Sequence, residues 1–211
     1  MNAEHVLLPH DLCWGMPAAD LPLEAPAWVV EALHQQHPVV VRRALAPAGQ
    51  LAVGVRGPGR EQRYATFMRL ADVQRSVRPE QLGRLHGNGS QAHWPALQAL
   101  AQLRPLLSGL GLAWGVSGSA GFELASGVPA LHQGSDLDLI VRAPQFVSRQ
   151  CAMQWLQLLQ SAPCRVDVQL QTPRGGVALR DWAGAASQVL LKGQAGAELV
   201  ENPWLLPGAQ P

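Results

Sequence analysis

Apolar residues along this chain recur with two different periods, and the changes of period mark out its elements. After a proline-rich entry (Pro9, Pro17, Pro22, Pro26), Trp28 to Gln36 has a helix-like composition and Val39-Val40-Val41 reads as a strand. Leu51 to Val55 reads as a second strand. Ala46-Pro47-Ala48-Gly49 joins the two with turn residues that suit a hairpin rather than a crossover. The pattern breaks at His86-Gly87-Asn88-Gly89-Ser90, which reads as a linker. Beyond it Leu97, Leu100, Leu103, Leu106, Leu107 and Leu110 fall at helical spacing, predicting a helix from Pro95 to Leu110 with a sustained buried face.

The second half alternates strands with helices. Leu112 to Val116 predicts a strand, Gly118-Ser119 a turn, and Ala120 to Ala125 a short helix opening at that turn. Asp136 to Val141 predicts the next strand. Pro144 opens a predicted helix running to about Leu159, with Phe146, Trp155, Leu158 and Leu159 on its packed side. Arg165 to Leu170 is a third strand, and Gly176 to Leu179 a fourth after the turn Thr172-Pro173-Arg174-Gly175. Asp181 then caps a helix ending near Lys192-Gly193. The expected class is α+β, with a small amino-terminal domain (1–86) carrying a β-ribbon. The carboxyl-terminal domain (87–211) is expected to hold a mixed sheet flanked by helices.

The chemistry concentrates in the second half. Asp136 and Asp138 stand at i and i+2 on a predicted strand, so their carboxylates share a face. Asp167, inside the apolar run Val166 to Leu170, can join them from a neighbouring strand. Such a cluster suits Mg²⁺, with Mn²⁺ as an alternative, because hard divalent ions take oxygen ligands together with substrate phosphates. Gly118-Ser119 at a strand-to-helix junction places backbone N–H groups near phosphate oxygens. Singly, each feature has a plainer reading: a solvated Asp-x-Asp, a simple turn, an acid facing water on an edge strand. Their order along the chain satisfies one geometric proposal. Lys192 either offsets a helix dipole or reaches triphosphate oxygens, and Arg174 has the same two readings. Glu123 either faces water or reaches a nucleotide. Arg42, Arg43, Arg56, Arg60 and Arg63 make the amino-terminal ribbon basic, either a solvated face or a grip on phosphate or an acidic protein.

Composition limits the alternatives. With 16 basic and 15 acidic residues among 211, the chain lacks the positive excess of a protein that lives on a nucleic-acid backbone, and no nucleic-acid partner is expected. No apolar run approaches the roughly 18 residues of a membrane span, and Met1 to His5 lacks a signal-peptide layout, so a cytoplasmic protein without a membrane partner is expected. Cys13, Cys151 and Cys164 are too scattered for a zinc site and read as reduced and structural. His34 and His37 lie one turn apart with no further ligand cluster nearby, and Pro38 ends the segment.

Val116-Ser117-Gly118-Ser119, Asp136-Leu137-Asp138 and Asp167 together resemble the polymerase-beta-like nucleotidyltransferase superfamily. The resemblance implies that Asp136 and Asp138 bind metal and that Asp167 is a third acid helping to activate the attacking group. One departure is a longer gap between Ser119 and Asp136, filled by a helix-loop from Phe122 to Gln133. A narrower resemblance covers nearly the whole chain. Trp114 to Gly121, Ser135-Asp136-Leu137-Asp138-Leu139, Val189 to Lys192 and Asn202-Pro203-Trp204 are similar to the malonate decarboxylase holo-acyl carrier protein synthase family. So are His10-Asp11-Leu12 with Trp14, Pro38 to Arg43, and Val53 to Gly57 with Arg60, Gln62 and Arg63. That family's activity is phosphoribosyl-dephospho-CoA transfer from triphosphoribosyl-dephospho-CoA to a serine of the decarboxylase's carrier subunit, with loss of pyrophosphate. The resemblance implies substrate-binding roles for Gly118, Ser119, Ser135, Arg174, Lys192 and Arg56. Two other readings remain open: a nucleotidyltransferase using an ordinary nucleoside triphosphate, and a non-catalytic binding module of the same fold.

Overall fold

Alternation of apolar and polar residues builds more sheet in the amino-terminal region than a single ribbon. The computed structural model describes residues 6–59, 61–85 and 93–205. These divide into two compact units, one running to Arg78 and including Ala125–Val128, the other taking the rest. The linker expected at 86–90 lies outside the described residues. The division falls between Arg78 and Pro79, because the segment after Pro79 packs within the second unit, against Trp114 and Gly115.

In the first unit the strands are β1 (Leu12–Trp14), β2 (Val39–Val41), β3 (Gln50–Arg56), β4 (Arg63–Arg69) and β5 (Arg75–Val77). They form one antiparallel sheet in the order β4-β3-β2-β1-β5. The expected hairpin is therefore the β2–β3 pair inside a larger sheet. Helix α1 (Ala27–His34) follows the fixed φ of Pro26 and ends where Gln36 turns left-handed at φ 57°. It buries Val29 and Leu33 against Val39, Val41, Val53, Val55, Met68 and Cys13. Burial, and to a lesser extent the charge of Asp11, push the Cys13 thiol up to about 12, which makes it an inert core residue.

The second unit carries α2 (Pro79–Leu82), α3 (Pro95–Ser108), β6 (Trp114–Val116), α4 (Gly118–Ser126), β7 (Leu137–Arg142) and α5 (Arg149–Leu159). After these come β8 (Val166–Gln171), β9 (Gly176–Ala178), α6 (Leu179–Ala183), β10 (Val189–Lys192) and β11 (Ala197–Val200). The six strands lie in the order β11-β10-β9-β8-β7-β6. Only β7 and β8 are parallel, and α5 makes their crossover. Leu137, Leu139, Ile140 and Val141 are all buried, as a central strand covered on both faces requires. The class is α+β, and no helix among the described residues is long and apolar enough to cross a membrane.

Several expected boundaries differ. The helix after Pro144 starts only at Arg149, with Ser148 Oγ accepting from the Cys151 N–H, because the preceding chain is held by the bond from Trp182 Nε1 to the Val147 carbonyl. Phe146 lies before α5 and, though exposed, meets the Trp182 and Trp204 rings edge-on at 6.1 and 5.4 Å, while Leu158 on α5 and Leu106 on α3 are exposed too. The helix expected from Asp181 to Lys192 is instead the short α6 followed by a strand. Gly184 is extended (φ −74°, ψ 175°) and stops α6, after which Val189 and Leu191 point inward and Leu190 and Lys192 outward.

Candidate active site

Strand β6 runs antiparallel to β7 with Val116 beside Leu139, and the Ser117 N–H donates to the Asp138 carbonyl at 2.9 Å, one step past the last pair. The chain then turns at Gly118 (φ +60°) into α4. A Cβ at this glycine would lie 1.9 Å from Asp138 Oδ2, so the residue is fixed by its left-handed backbone and by the carboxylate that crosses it. On the other side of β7, the parallel register sets Asp138 directly beside Asp167. Neighbours in register on adjacent strands project to one face, and Asp136 shares that face two residues earlier. Each of the three acids brings a carboxylate oxygen within 4.8 Å of the others, and all three are partly exposed.

The segment leading into Asp136 is held by its own side chains. The Ser135 N–H donates to the His132 carbonyl at 3.0 Å, the His132 N–H donates to Ser135 Oγ at 3.0 Å, and the Gly134 N–H donates to His132 Nδ1 at 3.1 Å. Ser135 is buried and closes this turn. Glu123, expected either to face water or to reach a nucleotide, is buried instead. Its Oε2 accepts from the Ala130 and Leu131 N–H groups at 2.6 and 2.7 Å, pinning the long helix-loop that precedes the acids. A glutamate serving backbone donors seven and eight residues ahead leaves no local signal in the sequence.

Within the second unit, the cations that the sequence pointed to lie away from the acids. Lys192 pairs with Gly176, which pairs with Gln171 at the far end of β8. That places it roughly 13 Å along the strands and 10 Å across from Asp167. Arg174 lies in the turn at this same far end, where it donates to the Asn202 and Leu205 carbonyls at 3.3 and 2.9 Å and to Glu198 at 2.8 Å. Arg56 belongs to the first unit, opposite Arg63 across β3 and β4, and Arg60 lies outside the described residues. Among the described residues, Arg165 and Arg180 reach Asp167. Arg165 Nε and Nη2 donate to Asp167 Oδ1 at 3.1 and 3.0 Å, and Nη2 lies 2.9 Å from Oδ2. Arg180 Nη2 lies 3.7 Å from Oδ1. The hydrogen bond to Asp167, then the charges of Asp167, Asp136 and Asp138, raise the Arg165 pKa above its usual value. Arg165 was legible in principle, since Arg165 and Asp167 stand at i and i+2 like the paired acids.

Three carboxylates converging on one point form a hard, all-oxygen donor set. It fits Mg²⁺ or Mn²⁺ better than the softer metals that favour thiolate or imidazole. Among the described residues no other cluster of acids, histidines and cysteines of this kind occurs, and His34 and His37 belong to none.

Two family descriptions match the chain consecutively: the phosphoribosyl-dephospho-CoA transferase MdcG amino-terminal domain over residues 8–79 and its carboxyl-terminal domain over residues 84–203. This chain belongs to the phosphoribosyl-dephospho-CoA transferase family. A phosphoribosyl-dephospho-CoA transferase of Pseudomonas syringae pv. tomato is 56% identical over 206 residues, covering 98% of this chain and 97% of its own. One from Pseudomonas fluorescens is 58% identical over 197 residues, 93% of each chain, and one from Azotobacter vinelandii 52% identical over 200 residues, again 93% of each. No solved structure matches. Membership in this transferase family makes the protein an enzyme, which removes the non-catalytic reading. The acids of the site lie within the span matched by the carboxyl-terminal family domain.

Proposed function

We propose that this enzyme transfers the phosphoribosyl-dephospho-CoA group from triphosphoribosyl-dephospho-CoA to a serine of the malonate decarboxylase acyl carrier subunit, releasing pyrophosphate. The observation that carries this reading is the convergence of Asp136, Asp138 and Asp167 within 4.8 Å, in a chain alignable almost end to end with relatives named phosphoribosyl-dephospho-CoA transferase. The serine oxygen forms a bond to the phosphorus nearest the added ribose. The bond from that phosphorus to the bridging oxygen breaks, and pyrophosphate leaves with the electron pair. Asp167, beside Asp138 on the neighbouring strand and partly exposed, is the carboxylate that takes the serine proton and passes it to solvent. Asp136 and Asp138 hold the divalent ion. When bound, that ion supplies charge neutralisation on the phosphate oxygens and a more acidic attacking hydroxyl. Gly118 leaves space above Asp138, and Ser119, in the first turn of α4, offers its backbone N–H to the leaving pyrophosphate at a helix N-terminus.

The test is intact-protein mass spectrometry of the apo carrier subunit after incubation with the enzyme, Mg²⁺ and triphosphoribosyl-dephospho-CoA. The expected result is a mass gain of one phosphoribosyl-dephospho-CoA group, abolished by Asp136→Asn. The variant is expected to stay folded, because removing one of three clustered like charges relieves repulsion. Carrier labelling from ATP alone would replace this reading with an ordinary nucleotidyl transfer, and near-normal transfer by Asp136→Asn would remove that acid from the chemistry.

A further inference from the structure

We propose that Arg165 and Arg180 are the polyphosphate-binding cations of this site, and that Arg165 exchanges from Asp167 to the polyphosphate chain when a divalent ion takes the carboxylates. The inference rests on the reading above for the substrate class, a ribosyl triphosphate. It rests on geometry for the residues. Asp167 accepts from two nitrogens of Arg165 and lies 3.7 Å from Arg180. Both guanidiniums sit at the acid cluster, while Arg174 and Lys192 belong to the other end of the sheet.

Charge fixes the direction of the exchange. By formal charge, three carboxylates against two guanidiniums leave a net −1, a poor host for a polyanion. A divalent ion turns that into one net positive charge and, by taking Asp167 oxygens, competes with Arg165 for the same acceptor. The Arg165 side chain is 63% exposed and the Arg180 side chain 59%. An exposed ion pair holds weakly, so Arg165 leaves Asp167 at little cost. Its planar fork matches a phosphate as well as it matches a carboxylate.

The two halves of the exchange have opposite signs, which a merely structural arginine does not reproduce. Titration calorimetry on the full chain measures Mn²⁺ binding alone, and inorganic tripolyphosphate binding at saturating Mg²⁺. Arg165→Gln is expected to tighten Mn²⁺ several-fold, because a competing cation is gone, and to weaken tripolyphosphate about tenfold. Arg180→Gln is expected to weaken tripolyphosphate with a smaller change in Mn²⁺ affinity. Arg165→Lys, which keeps charge without the fork, falls between wild type and Arg165→Gln for tripolyphosphate. Weaker Mn²⁺ binding in Arg165→Gln would make Arg165 a brace for Asp167 and overturn the exchange. Unchanged tripolyphosphate affinity in both glutamine variants, or no Mn²⁺ binding by the wild type, would overturn it equally. None of these readouts involves the carrier, so carrier labelling from ATP would refute the assigned substrate while leaving the exchange to stand or fall on the titrations.

Discussion

A Cβ at position 118 would meet the Asp138 carboxylate at 1.9 Å while sitting at φ +60°, so Gly118→Ala attacks the site in two ways. The left-handed backbone costs a residue with a side chain roughly 1–2 kcal/mol. The carboxylate must also move, and a displacement of about 1 Å in a reacting group can cost about a hundredfold in rate. Transfer by Gly118→Ala is therefore expected to fall about a hundredfold, with a modest drop in melting temperature; wild-type rates would mean that Asp138 does not need its observed position. Glu123 makes a different kind of contribution. It is buried, and its carboxylate receives two backbone N–H groups. Hydrogen bonds to a charged acceptor are worth more than those to a neutral one, so Glu123→Gln is expected to lose about 1–2 kcal/mol in chemical denaturation. It should also slow transfer by loosening the loop before Asp136. A variant as stable as wild type would show that the loop is fixed by other contacts.

At the scale of elements, the far end of the central sheet is built by the chain's last described residues. Arg174 donates to the Asn202 and Leu205 carbonyls, Thr172 Oγ1 donates to the Pro203 carbonyl at 3.0 Å, and Trp204 Nε1 to the Ala143 carbonyl at 2.8 Å. Arg174→Ala is thus expected to lower stability by about 1–3 kcal/mol while leaving transfer within about twofold. Lys192→Ala, on an exposed strand position, should change stability by no more than about 0.5 kcal/mol and leave transfer intact. A tenfold loss of transfer in either variant would return that cation to the active site. The contrast shows what was legible beforehand. Strands β7 and β8 show as short apolar runs interrupted by acids, and the order of those acids in sequence was enough to bring Asp136, Asp138 and Asp167 together. Strand β10 spans only Val189–Lys192, and a run that short has the same signature in a helix as in a strand. Lys192 was consequently placed at a helix end that does not exist. Strand β4 alternates, with Thr66 and Met68 inward and Ala65, Phe67 and Arg69 outward, a pattern legible in the sequence. Arg180 had no signal at all: it reaches Asp167 because β9 doubles back on β8, a fact of topology.

For the whole molecule, charge is the property that bears on a macromolecular acceptor. The chain carries a formal charge of only +1, so any attraction for an acidic carrier must come from a local surplus. The first unit holds one. Arg56 and Arg63 face each other directly across β3 and β4, which sets two positive charges side by side on this hairpin. Arg69, at the opposite end of the same hairpin, pairs with Asp72 and Asp20 at 2.7 and 3.2 Å, which leaves the Arg56–Arg63 end as the candidate for an acidic partner. If an acidic carrier docks there, raising ionic strength from about 0.1 to 1 M shortens the screening length from about 10 to about 3 Å. The KM for the carrier should then rise while kcat changes little. Salt also screens the polyphosphate at the acids, so the carrier and the nucleotide must be varied separately, and the decisive comparison is with a variant carrying both Arg56→Gln and Arg63→Gln. That variant should show a raised carrier KM at low salt, a flattened salt dependence and an unchanged nucleotide KM. A carrier KM that climbs with salt as steeply as in the wild-type enzyme would place the docking surface elsewhere.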